Sequence, residues 1–436
     1  MITDTVEQLR AEARQLHGIL RRQARRPFVL EITGTPKAGK TTLITMLKEF
    51  LRECGWRVHV LEERAGLCPL PMKGHFFFNT WTTGTMLAGL LDATDRDDDL
   101  VILDRGLFDA LIWLKVQRDE GQVSSEEARA FEDFVLIDRW RRLSDATFII
   151  ELDPQTAMGR ENGRRLLPRN GSIMNEKRLA AFNAALANVL ERHSQTFGVV
   201  RLKNDKDAKE GAAKLVASML EQVRRWVDKP IAVIPRAVAE QHLPDTTRDW
   251  SNVDVGELSK LIEYRLRSEV EADDEWVQLL VCGAQVFNDE VFLSVRRRQP
   301  TQVKSSRDDS GRLWQGCHIE KPKEGVLDLS EVQRQLLDRL RTDLHLGELN
   351  AELAPLGFIW DRDGDEKRHL GVVFKVTVEE KIANFLDEKE FRTNGRGHRV
   401  ESSFVSMSEL ASGKLPPEGY TLEPWSRAFL EKNWLP

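Results

Sequence analysis

Gly34-Thr35-Pro36-Lys37-Ala38-Gly39-Lys40-Thr41 satisfies G-x-x-x-x-G-K-[ST] in full, and no other stretch restricts the fold as strongly. It follows the apolar, partly β-branched run Phe28-Val29-Leu30-Glu31-Ile32 and precedes a helical pattern from Lys40 to Glu53. Strand, glycine loop and helix therefore stand in the order that phosphate binding needs. The glycines let backbone N–H groups turn inward around phosphate oxygens, and the helix presents its positive N-terminal end. Lys40 is expected to reach the outer phosphates and the Thr41 hydroxyl to ligate Mg²⁺. Gly34, Thr35, Lys37, Ala38, Gly39 and Thr42 complete the expected cradle. The motif alone leaves open whether the phosphate is hydrolysed or transferred.

The pattern around it repeats. Short apolar runs at 28–33, 57–62, 100–103, 147–152 and 199–202 alternate with helical patterns at 40–53, 107–118, 124–142, 176–192 and 207–227. Such alternation predicts an α/β domain with a five-stranded parallel sheet covered on both faces. An amphipathic helix over about Thr5 to Arg26, with Leu9, Ala13, Leu16 and Leu20 in one stripe, is expected to precede it. Asp228-Lys229-Pro230 reads as a boundary, giving domains 1–227 and 228–436. The second half has strand patterns at 276–287, 290–296 and 369–378 and one helical pattern at 329–344, the mark of an α+β domain.

Three charged groups are expected to join the glycine loop. Val101-Ile102-Leu103-Asp104-Arg105-Gly106 is an apolar strand ending in an acid, where such proteins hold Mg²⁺ or accept a proton. The adjacent Arg105 suits a clamp on a transferring phosphoryl group, for which a simple switch has no need. Leu61-Glu62-Glu63-Arg64 ends the second strand, at the edge where open α/β sheets bind ligands, so Glu63 or Glu62 is a candidate general base. Arg160-Glu161-Asn162-Gly163-Arg164-Arg165, with Arg169 beyond, follows the fourth strand and reads as a lid over the phosphate.

With these residues in order, the first 227 or so resemble the thymidylate kinase and deoxynucleoside kinase branch of P-loop kinases. The resemblance implies Lys40 and Thr41 on ATP–Mg²⁺, and Asp104 with Arg105 at the transfer centre. It puts Glu63 near the acceptor and Arg160, Arg164 and Arg165 in the lid. Gly106 departs from the Ser or Tyr that those families usually carry after the arginine. Phe76-Phe77-Phe78-Asn79-Thr80-Trp81, near the expected acceptor pocket, fits no pattern of the family; its aromatics suit either base stacking or a core.

In the second half, 281–287, 291–298 and 311–320 followed by a helix resemble the Nudix fold. Leu356-Gly357-Phe358-Ile359, His369-Leu370-Gly371-Val372-Val373-Phe374 and Glu423-Pro424-Trp425-Ser426 are similar to a bacterial branch of Nudix-type phosphoesterases. Nudix chemistry needs helical carboxylates one turn apart around Mg²⁺. Here Asp338-Arg339-Leu340-Arg341-Thr342-Asp343-Leu344-His345-Leu346 aligns with that box, and only Asp343 keeps an acid at a ligand position. A regulatory or nucleotide-binding module, or a spacer that assembles a homo-oligomer, is expected instead of a hydrolase.

The net charge of -6 gives no reason to expect nucleic acid as a partner. Cys54, Cys68, Cys282 and Cys317 form no CxxC pair, which suits a reducing cytoplasm, and no apolar run is long enough to span a membrane. The N-terminal residues carry both charge signs and lack the apolar core of a signal peptide. The expected function is ATP- and Mg²⁺-dependent transfer to a nucleoside, nucleotide or similar acceptor. The alternatives are a nucleotide switch, against whose GTP form stands the lack of an N-K-x-D motif, and a polynucleotide-end or protein kinase.

Overall fold

A computed structural model describes residues 2–24, 26–70, 75–94, 96–162, 176–204, 207–243, 248–249, 259–298, 310–324, 327–343, 349–362, 367–379, 391–393, 398–412 and 421–435. They form two compact units that divide between Val227 and Asp228.

The first unit begins with α1 (Ile2–Gln23), β1 (Phe28–Gly34), α2 (Lys40–Glu53) and β2 (Val58–Leu61). A short 3-10 turn, Arg64–Gly66, leads to α3 (Phe76–Thr94), β3 (Leu100–Asp104), α4 (Leu107–Asp119), α5 (Ser125–Val135) and α6 (Asp138–Arg141). Then come β4 (Ala146–Glu151), α7 (Pro154–Asn162), α8 (Glu176–His193), β5 (Val199–Lys203) and α9 (Ala208–Val227). The five strands are all parallel in the order β2-β3-β1-β4-β5. This is an α/β P-loop fold. β1 lies at the centre of the sheet and is buried along its whole length, as a parallel strand covered on both faces must be. The expected stripe of α1 holds: Leu9, Ala13, Leu16 and Leu20 are all buried in the core with α2 and α9. Because parallel strands share one direction, the carboxyl ends of β1, β2 and β3 open at the same edge, and that edge carries the site.

Two sequence readings change here. The single helix expected over 124–142 is broken: Ile137 takes an extended conformation between α5 and α6, and the Trp140 indole donates to Phe134 O at 2.9 Å. The aromatic run Phe76–Trp81, which fits no family pattern, is the start of the 19-residue helix α3. Its rings divide between core and surface, with Phe76 edge-on to Phe131 and Phe77 exposed.

The second unit is α+β, with a mixed sheet of twelve strands among the described residues. These are β6 (Pro230–Pro235), β7 (Arg248–Asp249), β8 (Glu263–Leu266), β9 (Trp276–Phe287), β10 (Glu290–Arg298), β11 (Ser310–Arg312), β12 (Gln315–His318), β13 (Ala351–Trp360), β14 (His369–Val378), β15 (Phe391–Thr393), β16 (His398–Ser406) and β17 (Thr421–Leu422), and the main path runs β15-β16-β10-β9-β14-β13-β7. β9 and β14 pair in parallel, whereas β9 and β10 form an antiparallel hairpin. The helix Leu329–Asp343 buries Val332, Leu336 and Leu340 in the core against β9. A Cβ on Gly283 of β9 would lie 3.0 Å from Leu336 Cδ2, so the helix approaches the sheet over a glycine. Glu423-Pro424-Trp425-Ser426 is a helix start: the Glu423 carboxylate accepts from Ser426 N at 2.8 Å, and Trp425 packs on Gly371. Of the Nudix-like box, 344–346 lie outside the described residues.

Candidate functional site

At the carboxyl edge of the first unit's sheet lies a cavity of about 730 Å³. Pro36, Lys37 and Gly39 to Thr42 line one side, and Glu63, Asp104 and Arg105 line its wall. The loop is built for close approach. A Cβ on Gly34 would sit 2.2 Å from Ile150 O, and Lys37 and Gly39 both have positive φ, 64° and 89°. Gly34, Thr35 and Ala38 do not line the cavity with side chains. The Thr35 hydroxyl donates to Asn183 Oδ1 at 3.3 Å and accepts from Leu152 N at 3.5 Å, so Thr35 anchors the loop to its neighbours.

Lys40 is buried, and its Nζ donates to Gly34 O and Thr35 O, both at 3.0 Å. Burial lowers its pKa, and Arg105 lowers it further, while Asp109, Asp104 and Glu63 pull the other way. Arg105 sits at the centre of an ion cluster. Its Nε lies 2.7 Å from Glu63 Oε1 and its Nη1 donates to Asp109 Oδ1 at 3.0 Å. The Thr33 hydroxyl also donates to Asp109. Burial opposes the charge on Arg105, but Asp109, Glu63 and Asp104 outweigh it and hold the guanidinium charged. Burial raises the pKa of Asp104, Arg105 lowers it, and Glu63 raises it, with a net upward shift.

Thr41 and Asp104 line the same cavity, a hydroxyl and a carboxylate that form an oxygen set suited to a hard divalent cation. Among the described residues, no group of three or more His, Cys, Asp and Glu side chains is arranged to hold a metal. Of the two acids at the end of β2, Glu63 faces the cavity and Glu62 is exposed outside it. Arg160 also lines the cavity and donates through Nη2 to Asn204 O at 2.8 Å. Arg164, Arg165 and Arg169, expected in the lid, lie outside the described residues.

Asn204, Glu31 and the α4 residues of this edge escaped the sequence reading, whereas Phe78 and Asn79 belong to the run expected near the acceptor pocket. Asn204, just past β5, donates from Nδ2 to Ala38 O at 2.6 Å and so braces the glycine loop. α3 and α4 also line the cavity, through Phe78, Asn79, Thr82, Thr83, Met86, Ala110, Trp113 and Gln117. Asn79 is buried, and its Nδ2 donates to Ala110 O at 3.1 Å and more weakly to Gln117 Oε1 at 3.4 Å. With the nitrogen committed, the group Asn79 offers a ligand is its carbonyl oxygen.

Glu31, in the middle of β1, is fully buried and accepts from Gly106 N at 2.8 Å, Phe108 N at 3.0 Å and Asp109 N at 2.9 Å. It thereby caps α4 from another strand. A Cβ on Gly106 would lie 2.7 Å from Glu31 Oε2, which is why glycine follows the arginine here. Burial pushes the Glu31 carboxyl up to about 7, against the three amides that favour its ionised form.

The family model of the methylmalonyl-CoA mutase-associated GTPase MeaB matches residues 1–63, from α1 through β2 and its following acids. No curated relative matches the chain. Among solved structures, a deoxyadenosine kinase from M. mycoides with bound dATP is 19% identical, covering 44% of this chain and 99% of its own, at a TM-score of 0.35. The same enzyme with the products dCMP and dCDP gives the same values. A putative Nudix hydrolase is 18% identical, covering 48% of this chain and all of its own, at a TM-score of 0.33. Among the described residues, no helix is long and apolar enough to cross a membrane.

Proposed function

We propose that the first unit transfers a phosphoryl group from ATP, with Mg²⁺, to a nucleoside, a nucleotide or a similar small acceptor. The observation that carries this reading is the mixed lining of one cavity. Lys40 and the start of α2 supply groups for phosphates, and α3 and α4 add aromatic rings and an amide suited to a second organic molecule. A volume of about 730 Å³ lies within the range of pockets that hold drug-sized ligands, well beyond what an attacking water needs. Glu63 and Arg105 line the same cavity.

Catalysis here is chiefly positioning and charge neutralisation. Lys40 contacts the outer phosphates of the donor, and Arg105 steadies the transferring group. Glu63 accepts the acceptor's proton, and Arg160, with Arg164 and Arg165, closes over the phosphates. Thr41 and Asp104 would hold Mg²⁺, which offsets phosphate charge when bound. Phe78 and Trp113 offer faces for a planar ring, and the Asn79 carbonyl takes an N–H from it. The test is a panel of nucleosides and nucleoside monophosphates incubated with Mg-ATP, with products identified by mass. Phosphorylation of one structural class supports the reading; no phosphorylated acceptor anywhere in the panel overturns it.

A second reading, a nucleotide switch that hydrolyses its triphosphate slowly, is favoured by the MeaB model over residues 1–63. The second unit, on either reading, binds a nucleotide-type ligand or a partner chain, a second copy of this protein included, and does not hydrolyse. Arg339 and Thr342 stand where Nudix chemistry needs acids. Hydrolysis of a nucleoside diphosphate derivative that survives Lys40→Ala and disappears with Asp343→Ala would contradict this.

A further inference from the structure

We infer that Glu31 is a positioning residue for the reaction: by capping α4 from β1 it locks Arg105 in the left-handed backbone conformation that aims its guanidinium at Glu63 and Asp109. The inference rests on the transfer reading for its catalytic consequence and on the geometry alone for its structural one.

Arg105 has a φ of 64°, a region that L-residues other than Asn, Asp and Gly enter at a cost of about 1 kcal/mol or more. Such a conformation persists only where the surroundings over-determine it. Two consecutive residues of β1 do so. Ile32 O accepts from Arg105 N at 3.1 Å, and the Glu31 carboxylate accepts from the next amide, Gly106 N, at 2.8 Å. The same carboxylate takes the amides of Phe108 and Asp109 in the first turn of α4. Glu31 thus fixes the peptide after Arg105 and the backbone of Asp109, the residue whose carboxylate receives Arg105 Nη1. Gly106 has no side chain with which to cap its own helix, so the cap comes wholly from Glu31.

Glu31, Gly106, Phe108 and Asp109 are all buried, so water is a poor substitute for the lost carboxylate. In Glu31→Gln one side-chain position would turn an N–H toward backbone N–H groups. Arg105 then relaxes toward an ordinary φ and its guanidinium leaves Glu63 and Asp109. Misplacement of a clamp by about 1 Å costs on the order of 10²-fold in rate. Lys40 and the glycine loop have their own partners and are unaffected.

The test uses the full chain with Glu31→Gln and, separately, Gly106→Ala, whose added Cβ displaces the carboxylate without removing it. Three quantities are read on each folded variant: amide hydrogen exchange over 105–109, ATP affinity and transfer turnover. Exchange over 105–109 is expected to rise while β1 and β4 stay protected. ATP affinity should stay within about threefold, and kcat should fall ~10- to 100-fold. The double variant should be little worse than either single one, since both break one unit. Unchanged exchange over 105–109, unchanged turnover in a folded variant, or a parallel loss of ATP affinity and turnover overturns the inference. Should one variant not fold, the other decides. If the wild-type chain phosphorylates no acceptor, the transfer reading fails, and the exchange measurement still decides whether Glu31 locks Arg105.

Discussion

The carboxyl edge of β1, β2 and β3 and the helix Leu329–Asp343 both bring together acids and arginines, with opposite outcomes. At the sheet edge Arg105 is mostly buried, paired to Glu63 and Asp109, and braced by Glu31 from behind. On the helix, Arg334 joins Glu331 at 2.6 Å and Asp338 at 2.8 Å, but Arg334 remains 55% exposed and Asp338 41%. Exposed pairs of that kind contribute little, about 0–1 kcal/mol, and aim at nothing. Charges become a site where the fold removes water from them and fixes their directions. That occurs at a cavity in the first unit; the helix of the second unit turns its apolar face inward and its charged face to solvent.

The largest expected effect is at the cavity. Lys40→Ala should lower transfer turnover by on the order of 10³-fold, read with saturating acceptor and Mg-ATP. If the residual rate is near wild type, the cavity is no more a site than the helix is.

The buried charge also predicts a pH dependence of stability. Glu31 has an ordinary carboxyl value of 4.5 in the unfolded chain and about 7 in the folded one. The native state therefore binds more protons across that window, and stability falls as pH rises through it, by on the order of 3 kcal/mol for this group. Urea midpoints at pH 5 and pH 8 should differ in that direction, and Glu31→Gln should reduce the difference, leaving the part of the same sign that the raised Asp104 carboxyl contributes. Lys40 acts above the window with the opposite sign: its lowered value means that stability is regained as pH rises toward the ordinary lysine range. A surface cluster such as that of Arg334 gives neither slope.

Arg105→Lys should lower turnover by ~10²-fold, because an ammonium cannot engage Glu63 and Asp109 with separate nitrogens as the guanidinium does. ATP affinity, measured by calorimetry, should change little. At the small end, Asp338→Ala should shift stability by less than about 0.5 kcal/mol and leave transfer unchanged. A catalytic effect from Asp338→Ala would erase the contrast between the two regions.

How much of this was legible in the sequence follows the range over which each feature is encoded. The glycine loop, the strand ending in Asp104-Arg105 and the acid Glu63 are local, and the sheet alternation locates them at one edge. α3 was not legible because it has no clean apolar stripe. Its Thr80, Thr82, Thr83 and Thr85 hydroxyls satisfy themselves on carbonyls one turn back, so polar residues sit on inner as well as outer faces. Glu31 and Asn204 act across the fold, 75 and 166 residues from Gly106 and Ala38, and nothing in their neighbourhoods announces those partners. Glu31 in an apolar strand was the available signal, since a charge in a central parallel strand must meet a donor. Gly106 was the other: its departure from the families' Ser or Tyr marks a cap supplied from elsewhere.

The most direct measurement follows ADP and phosphorylated acceptor together in one reaction of the full chain with Mg-ATP. Transfer across the cavity predicts one ADP per phosphorylated acceptor, ADP release that rises with acceptor concentration, and loss of both in Arg105→Ala. ADP and free phosphate released at a rate independent of every acceptor would contradict it.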